Sequence, residues 1–479
     1  MKIWVKAVLI LFALNTIVCK TMRSAGQTIG KHRLIVITDI GNEPDDFQSM
    51  VRLMLYTNQI DIEGLIASTS VHQKSHVSPG LIQKVILSYG KVQPNLLKHE
   101  PGFPTAQKLS GMVKQGLPVY GMKGVGKGKD SEGSEWIIKR LEKADSRPLW
   151  ISVWGGASTL AQALWKIRET KSETEIKRLI GKLRVYAISD QDDSGPWIRK
   201  NFADLFYIVS PGKYEDATWS AIFKVIPGAN NEVISNEWLL KNIQQGHGPL
   251  GAEYPDVAYG MEGDTPSFLM LIPNGLNEPE HPDWGSWGGR YELFTPPFDP
   301  KIKSFVPMEE ETRPIWTNAK DEFTPWVQAK WGRAVIKDTG RYSGNQVTLW
   351  RWREHFQNDF AARMVWCNND YKSANHPPVV KLNTPEHLTV KSGETINLDG
   401  SASYDPDGDG LSFQWFQYTE VGTYKKNIPY YVVNTSELKD VRAPAVESPQ
   451  STHFILMVTD KGTPSLTRYK RVIVDIVPK

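Results

Sequence analysis

Between Thr38 and Asp46 the sequence TDIGNEPDD places four carboxylates in nine positions, Asp39, Glu43, Asp45 and Asp46, with Gly41 and Pro44 among them. Carboxylates this close repel one another unless a positive charge sits between them. Hard oxygen donors with no histidine or cysteine cluster suit a cation of the calcium kind and disfavour zinc. A second acidic group, Asp190, Asp192 and Asp193, lies in SDQDDSGPW, and Glu262 and Asp264 follow in YGMEGDTPSF. Such groups do two kinds of chemistry together. They hold a metal or sugar hydroxyls, and they move protons during glycoside hydrolysis. Trp284 and Trp287 stand among glycines in HPDWGSWGG, a setting with little to bury them, which predicts a recognition surface whose flat rings stack on sugars.

The elements around these residues follow a rhythm. Leu34 to Ile37 is a continuous apolar run, the pattern of a strand buried on both faces, and Phe47, Met50, Val51 and Met54 recur at helical spacing after the acidic loop. Further strands are expected at 60–68, 149–153, 183–188 and 204–209, with helices at 81–89, 135–143 and after Gly155-Gly156. The alternation predicts an α/β fold with a mostly parallel, doubly wound sheet, whose loops 38–46, 154–159 and 189–195 leave one edge and converge on one crevice. The glycine- and lysine-rich stretch 116–135 matches no phosphate-loop spacing and reads as a surface loop. A strong helical pattern from Arg351 is expected to pack back on the first domain. Beyond Asn375-His376-Pro377-Pro378 the pattern changes to period two with turn residues between, an all-β sandwich of roughly 100 residues. Its turn Asp405-Pro406-Asp407-Gly408-Asp409-Gly410 has two open readings, a calcium loop or a self-hydrogen-bonded turn.

The chain has 479 residues, enough for two or three domains, and a net charge of +3 with no long basic run, which argues against a nucleic-acid partner. Met1 to Cys19 carries Lys2 and Lys6 ahead of AVLILFAL, the form of a secretory signal too short to span a membrane. Secretion or release to a periplasm is therefore expected, with no stable membrane span. A lipid anchor at Cys19 is the second reading, disfavoured by the bulk of Val18. If Cys19 is removed, Cys367 is the only cysteine left and no internal disulfide forms.

With these residues in view, the first domain resembles the nucleoside hydrolases, and the whole chain resembles a bacterial family described as cellulose-binding proteins, a nucleoside-hydrolase-like domain followed by an Ig-like one. The resemblance divides the chain into a signal peptide at 1–19, the hydrolase-like domain at 30–300, an extension packing on it at 301–375, and the Ig-like sandwich at 376–479. It implies that Asp46 chelates calcium and that Asp45 holds sugar hydroxyls. Asp39 matches the first Asp of the signature. WGGASTLAQAL resembles the turn whose threonine carbonyl binds the metal, with Ser158 in that place, and Asp264 resembles the late Asp that completes the shell. The implied metal set is thus Asp39, Asp46, Ser158 and Asp264 around Ca2+.

The departures fall on the catalytic groups. In an ungapped alignment Gly41 takes the place of the Asp that removes a proton from water; a gapped one gives that place to Asp39. Gly263 stands where many members carry a His that assists the leaving base, and SDQDDSG replaces a Glu-x-Asn segment that grips the sugar. Glu43 and Glu262 lie beside the two gaps and are the candidate base and acid, Glu43 having helix capping as its alternative role. Asp45, Asp190, Asp192, Asp193, Trp284 and Trp287 are the candidate sugar contacts. The expected function is an exported, calcium-dependent glycosidase acting on N- or O-glycosidic bonds of a carbohydrate. The alternative is a carbohydrate-binding protein, for a polymer such as cellulose, with a degenerate site.

Overall fold

Strand β1 (His32–Thr38) runs through the middle of an eight-stranded sheet, buried from Leu34 to Thr38 as its apolar run requires. This computed structural model describes residues 30–328, 334–336, 340–431 and 434–479; the expected signal segment and Cys19 lie outside them. β2 (Ile60–Ala67) and β3 (Val113–Gln115) extend the sheet on one side of β1. β4 (Leu149–Val153), β5 (Leu183–Ala187) and β6 (Phe206–Val209) extend it on the other, all parallel. The chain therefore reverses its direction of travel between β1 and β4, the switch point at which ligands bind in open α/β sheets. β7 (Tyr291–Phe294) and β8 (Ile315–Asn318) close the edge, β7 antiparallel. The sequence pattern did not show these two, and β8 comes from the stretch assigned to the extension.

Register aligns the ends of the central strands. Ile37 pairs with Val153, Val153 with Ala187 and Ala187 with Val209, so the loops after β1, β4, β5 and β6 open side by side. Two apolar cores fill the faces of the sheet, one around Leu34, Val36 and Met50, the other around Ile35, Ile37 and Ile151. The helix expected at 81–89 is longer, Pro79–His99, and carries Pro94 within it. Helix Arg353–Val365 packs back as expected. Its Asp359 accepts from Tyr56 at 2.8 Å, and its Arg363 donates to the Leu55 carbonyl at 2.9 Å.

The C-terminal strands form a four-stranded sheet and a two-stranded one around a third core that includes Trp415, Phe454 and Val472. This part is seated firmly on what precedes it. Arg471 donates to the carbonyls of Leu276 at 2.8 Å and Trp284 at 3.1 Å. The Tyr469 amide donates to Asn274 O at 3.0 Å, and Arg468 pairs with Asp359 at 2.7 Å. Among the described residues no helix is long and apolar enough to cross a membrane.

Candidate functional site

The first acidic loop is built by three local choices. β1 ends at Thr38, Gly41 turns the chain at φ +116°, and Pro44 opens the helix Pro44–Met54 with Asp45 and Asp46 in its first turn. Proline tolerates that position because its missing N–H has no intrahelical partner anyway, and acidic side chains there face the positive end of the helix dipole. The result brings Asp45, Asp46 and Asp264 together, each with an oxygen within 4.8 Å of the others. Thr38 donates its hydroxyl to Asp46. Asp45 Oδ1, Asp264 Oδ2 and Asp39 Oδ1 are buried with no hydrogen-bond partner.

The electrostatics agree. Burial, then the charges of Asp46, Asp45 and Asp39, push Asp264 far above the usual carboxylate range. Asp46 rises for the same reasons. Asp45 is pushed up to about 7 by burial, with Glu43 and Asp39 adding to it. Asp39 is raised by burial, against hydrogen bonding from Ser70. Carboxylates held in this way stay protonated or take a cation, and the donor set is all oxygen. The cluster thus fits the divalent ion that the resemblance implies, but its three members include Asp45, expected to hold sugar hydroxyls, and not Asp39, expected as a metal ligand. The turn before Ser158 packs against two acidic residues beside the cluster: a Cβ on Gly155 would lie 2.5 Å from Asp39 Oδ1, and one on Gly156 2.3 Å from Asp192 Oδ2. Only glycine permits that approach.

Beside the cluster a crevice of about 790 Å³ opens to solvent, with Glu43, Asp45 and His72 on its floor and Tyr214, Trp219, Phe223, Tyr259 and Phe305 around it. Glu43 holds the N-cap position, yet its side chain makes no capping hydrogen bond; it lies 3.7 Å from His72 Nδ1. Burial and the Asp39 charge raise its carboxyl. The rings form a connected wall. Tyr214 meets Trp219 at 5.5 Å and Phe305 at 4.9 Å between centroids, and His72 meets Phe305 at 4.9 Å. Tyr259 stands at the rim, 96 % exposed. These aromatics lie in irregular segments where no periodicity marks them, and the sequence reading missed them.

The other expected residues are placed differently. Glu262 is 0 % exposed, with Oε2 2.6 Å from Arg52 Nε and Oε1 accepting from Tyr254 at 2.7 Å. It is sealed in an ion pair rather than facing substrate, and its backbone lies at φ +49°. Trp287 is also 0 % exposed and donates to Tyr469 of the sandwich at 3.2 Å. Trp284 is half-buried, stacked on His281 at 3.9 Å with Arg471 over its other side. Both tryptophans serve the seam between the two parts of the chain, which supplied the packing their glycines lacked. In the second acidic loop Asp190 is gripped by Arg199 through two bonds of 2.8 Å. Asp192 is buried, accepts from Ser194, and is pushed up to about 6 by that burial. Asp193 accepts from the Met122 amide at 2.8 Å.

Residues 33–291 match the model of a family described as "Cellulose-binding Sde182, nucleoside hydrolase-like domain", and residues 395–476 match "Cellulose-binding protein Sde0182, C-terminal domain". The chain belongs to this family. Over 93 % of its length and the whole of the other chain, it is 34 % identical to a solved nucleoside hydrolase-related hypothetical protein from Saccharophagus degradans, described as associated with carbohydrate metabolism, at a TM-score of 0.78. A human mucin-like protocadherin fragment (17 % identity over 21 % of this chain and 54 % of that one, TM-score 0.17) and the effector protein XOO4466 (8 % over 60 % and 87 %, TM-score 0.32) superpose too poorly to carry an argument. No curated protein matches.

Both glycines at the places where the ungapped comparison with the hydrolases departs are closely packed. A Cβ on Gly41 would lie 2.9 Å from Leu81 Cδ1, and one on Gly263 2.9 Å from the Trp219 ring and 3.2 Å from Asp45 Oδ2. A side chain at either position would require Leu81 or Trp219 to shift, and φ +116° at Gly41 is strained for any residue but glycine.

Proposed function

We propose that this exported protein binds a carbohydrate in the crevice after β1 and hydrolyses a glycosidic bond there in a calcium-dependent reaction. The observation that carries this reading is the convergence of Asp45, Asp46 and Asp264 beside an open crevice that also holds Glu43. A bound calcium ion would supply the positive charge that anchors sugar hydroxyls and acidifies water at the site. Asp45, Asp46 and Asp264 would hold it, with Asp39 adjoining. Glu43, raised by burial and by Asp39, is poised to take a proton from water, and its placement near His72 rather than on a capping amide leaves it free to do so. The aromatic wall offers the flat apolar faces on which sugar rings stack. The acid expected at Glu262 does not reach the crevice, and sugar stacking passes from Trp284 and Trp287 to Tyr259 and Phe305.

Binding without turnover is the second reading, favoured by the closely packed glycines at 41 and 263 and by the sealing of Glu262. One experiment separates the two. Cello-oligosaccharides, aryl glycosides and nucleosides are incubated with the protein in calcium and in chelator, with Glu43→Gln in parallel. Hydrolysis in calcium that falls on the order of 100-fold to 10,000-fold in Glu43→Gln supports the enzyme. Calcium-dependent binding with no product from any substrate supports the second reading. Binding and turnover that ignore chelator would remove the cation from both.

A further inference from the structure

Helix Arg353–Val365 and the sandwich do not close completely on each other. A cavity of about 830 Å³ opens between them, as large as the crevice and lined by different residues. Its floor is one face of the four-stranded sheet. Register sets Ser412, Thr459 and Thr467 in one row across the strands Leu411–Gly422, Gln450–Asp460 and Thr467–Val477, and Gln414, Met457 and Tyr469 in the next. Residues paired in this way share a face. Two positions further along the first strand, Phe416 adds a half-buried ring 6.1 Å from that of Trp352.

The helix supplies the roof. Trp287 donates its indole N–H to the Tyr469 hydroxyl at 3.2 Å, and that hydroxyl lies 2.5 Å from His355 Nδ1. An indole is a donor only, so the hydroxyl has its own hydrogen left for Nδ1. His355 therefore carries its proton on Nε2, and burial, which pushes the imidazole down to about 4, keeps the ring neutral. His355 lines the cavity, and its Nε2 has no partner among the described residues and is not sealed from solvent. One turn along the same face, Asn358 donates Nδ2 to Ser465 O at 3.1 Å, which leaves Oδ1 as an open acceptor. The roof thus offers a fixed donor and a fixed acceptor. On the floor, Gln414 is 8 % exposed and its Oε1 meets no donor.

The cations beside the cavity are already engaged. Arg351 pairs with Asp321 at 3.0 Å, and Arg353 donates to Lys224 O at 2.6 Å and to Asn231 Oδ1 at 2.9 Å. Hydroxyls, amides and one ring, without a free charge, suit a neutral ligand that has many hydroxyls and an apolar face, which is the chemistry of a sugar ring.

We propose that this cavity is a second carbohydrate-binding site, which holds a neutral oligosaccharide chain by hydrogen bonds to His355 Nε2 and Asn358 Oδ1 and by packing on Phe416. The site rests on the carbohydrate ligand proposed above, but on neither the cation nor the turnover.

The test is run in chelator, so that the crevice lacks its cation. Cellohexaose, xylohexaose and mannohexaose are titrated calorimetrically into the full chain, and amide hydrogen exchange is followed with and without each. At least one hexaose should bind and slow exchange at 353–358 and 411–417. Ser412→Trp, which projects an indole into the cavity, should abolish that binding. His355→Phe keeps a ring but loses the Nε2 donor, and should weaken binding about 3-fold to 10-fold, the effect of one neutral hydrogen bond. The proposal is overturned if no hexaose slows exchange in those two segments, or if Ser412→Trp binds as tightly as wild type. Should a variant fail to fold, exchange in the wild-type protein still decides. Failure of the crevice reading would show differently, as no gain in binding when calcium is restored.

Discussion

The two acidic loops that leave this sheet have nearly the same composition but differ in how far the protein's own donors meet their charge. In the loop after β5 the protein supplies most of the donors: Asp190 has Arg199, Asp193 has the Met122 amide, and Asp192 has Ser194 on Oδ1, its Oδ2 alone being buried without a partner. In the loop after β1 the carboxylates face mainly one another, and three of their oxygens, counting that of Asp264, are buried without a donor. The loop after β1 is thus left with the larger unmet demand for positive charge. The contrast shows that a count of acids locates the edge of a sheet where function gathers, while the supply of donors decides which loop is the site.

The sharpest way to break the contrast is to remove a partner from the loop after β5. Arg199→Met would leave Asp190 and Glu311 buried and unpaired. It should cost about 3–5 kcal/mol in urea unfolding while calcium stoichiometry stays unchanged. A neutral effect would mean the second loop is no better satisfied than the first.

Next in size is the pH response of the metal-free protein. Asp45 holds its proton to about pH 7 when folded but only to roughly pH 4 when unfolded. Between those values the folded state binds more protons, so stability falls as pH rises, by on the order of a few kcal/mol in total. Thermal unfolding in chelator should therefore show a higher midpoint at pH 5 than at pH 8. Excess calcium should recover the loss at pH 8. A flat profile in chelator would place the first loop in the same class as the second.

Asp46→Asn sharpens the same point from within the cluster. It should abolish the crevice ion and, in chelator at pH 8, stabilise the fold by about 1–2 kcal/mol because one repelling charge is gone. The smallest effect is at the rim. Tyr259→Ala should weaken carbohydrate binding by a few-fold, in line with about 0.5–1.5 kcal/mol for an aromatic contact, and leave unfolding unchanged.

What the sequence made legible follows from which signals are local. The buried run at Leu34–Ile37, the acidic turn and the helix after it are written in consecutive residues, and the structure places them accordingly. The alternation of strands and helices likewise fixed the sheet edge on which the three loops open. Glu262 and Trp287 were misread because what covers them is distant in sequence, Arg52 for one and Tyr469 for the other. The aromatic wall escaped notice for the opposite reason: Tyr214, Phe223 and Phe305 sit in segments with no period at all. The closely packed glycines at 41 and 263 show a third case, in which the sequence reveals that a side chain is missing and only packing shows what one would displace.

The burial of Arg52 bears on how the chain matures. Its guanidinium contacts Glu262, the Phe356 carbonyl and Gln357, which lies 305 residues downstream. At synthesis rates of roughly 5–20 residues per second, its last partner emerges on the order of 15–60 s after the helix that carries it. During that interval the first helix has no completed surface to settle on. The nascent hydrolase-like half must wait for its own far end, and a chain truncated before helix Arg353–Val365 should fail to reach a native state even though every strand of its sheet has been made.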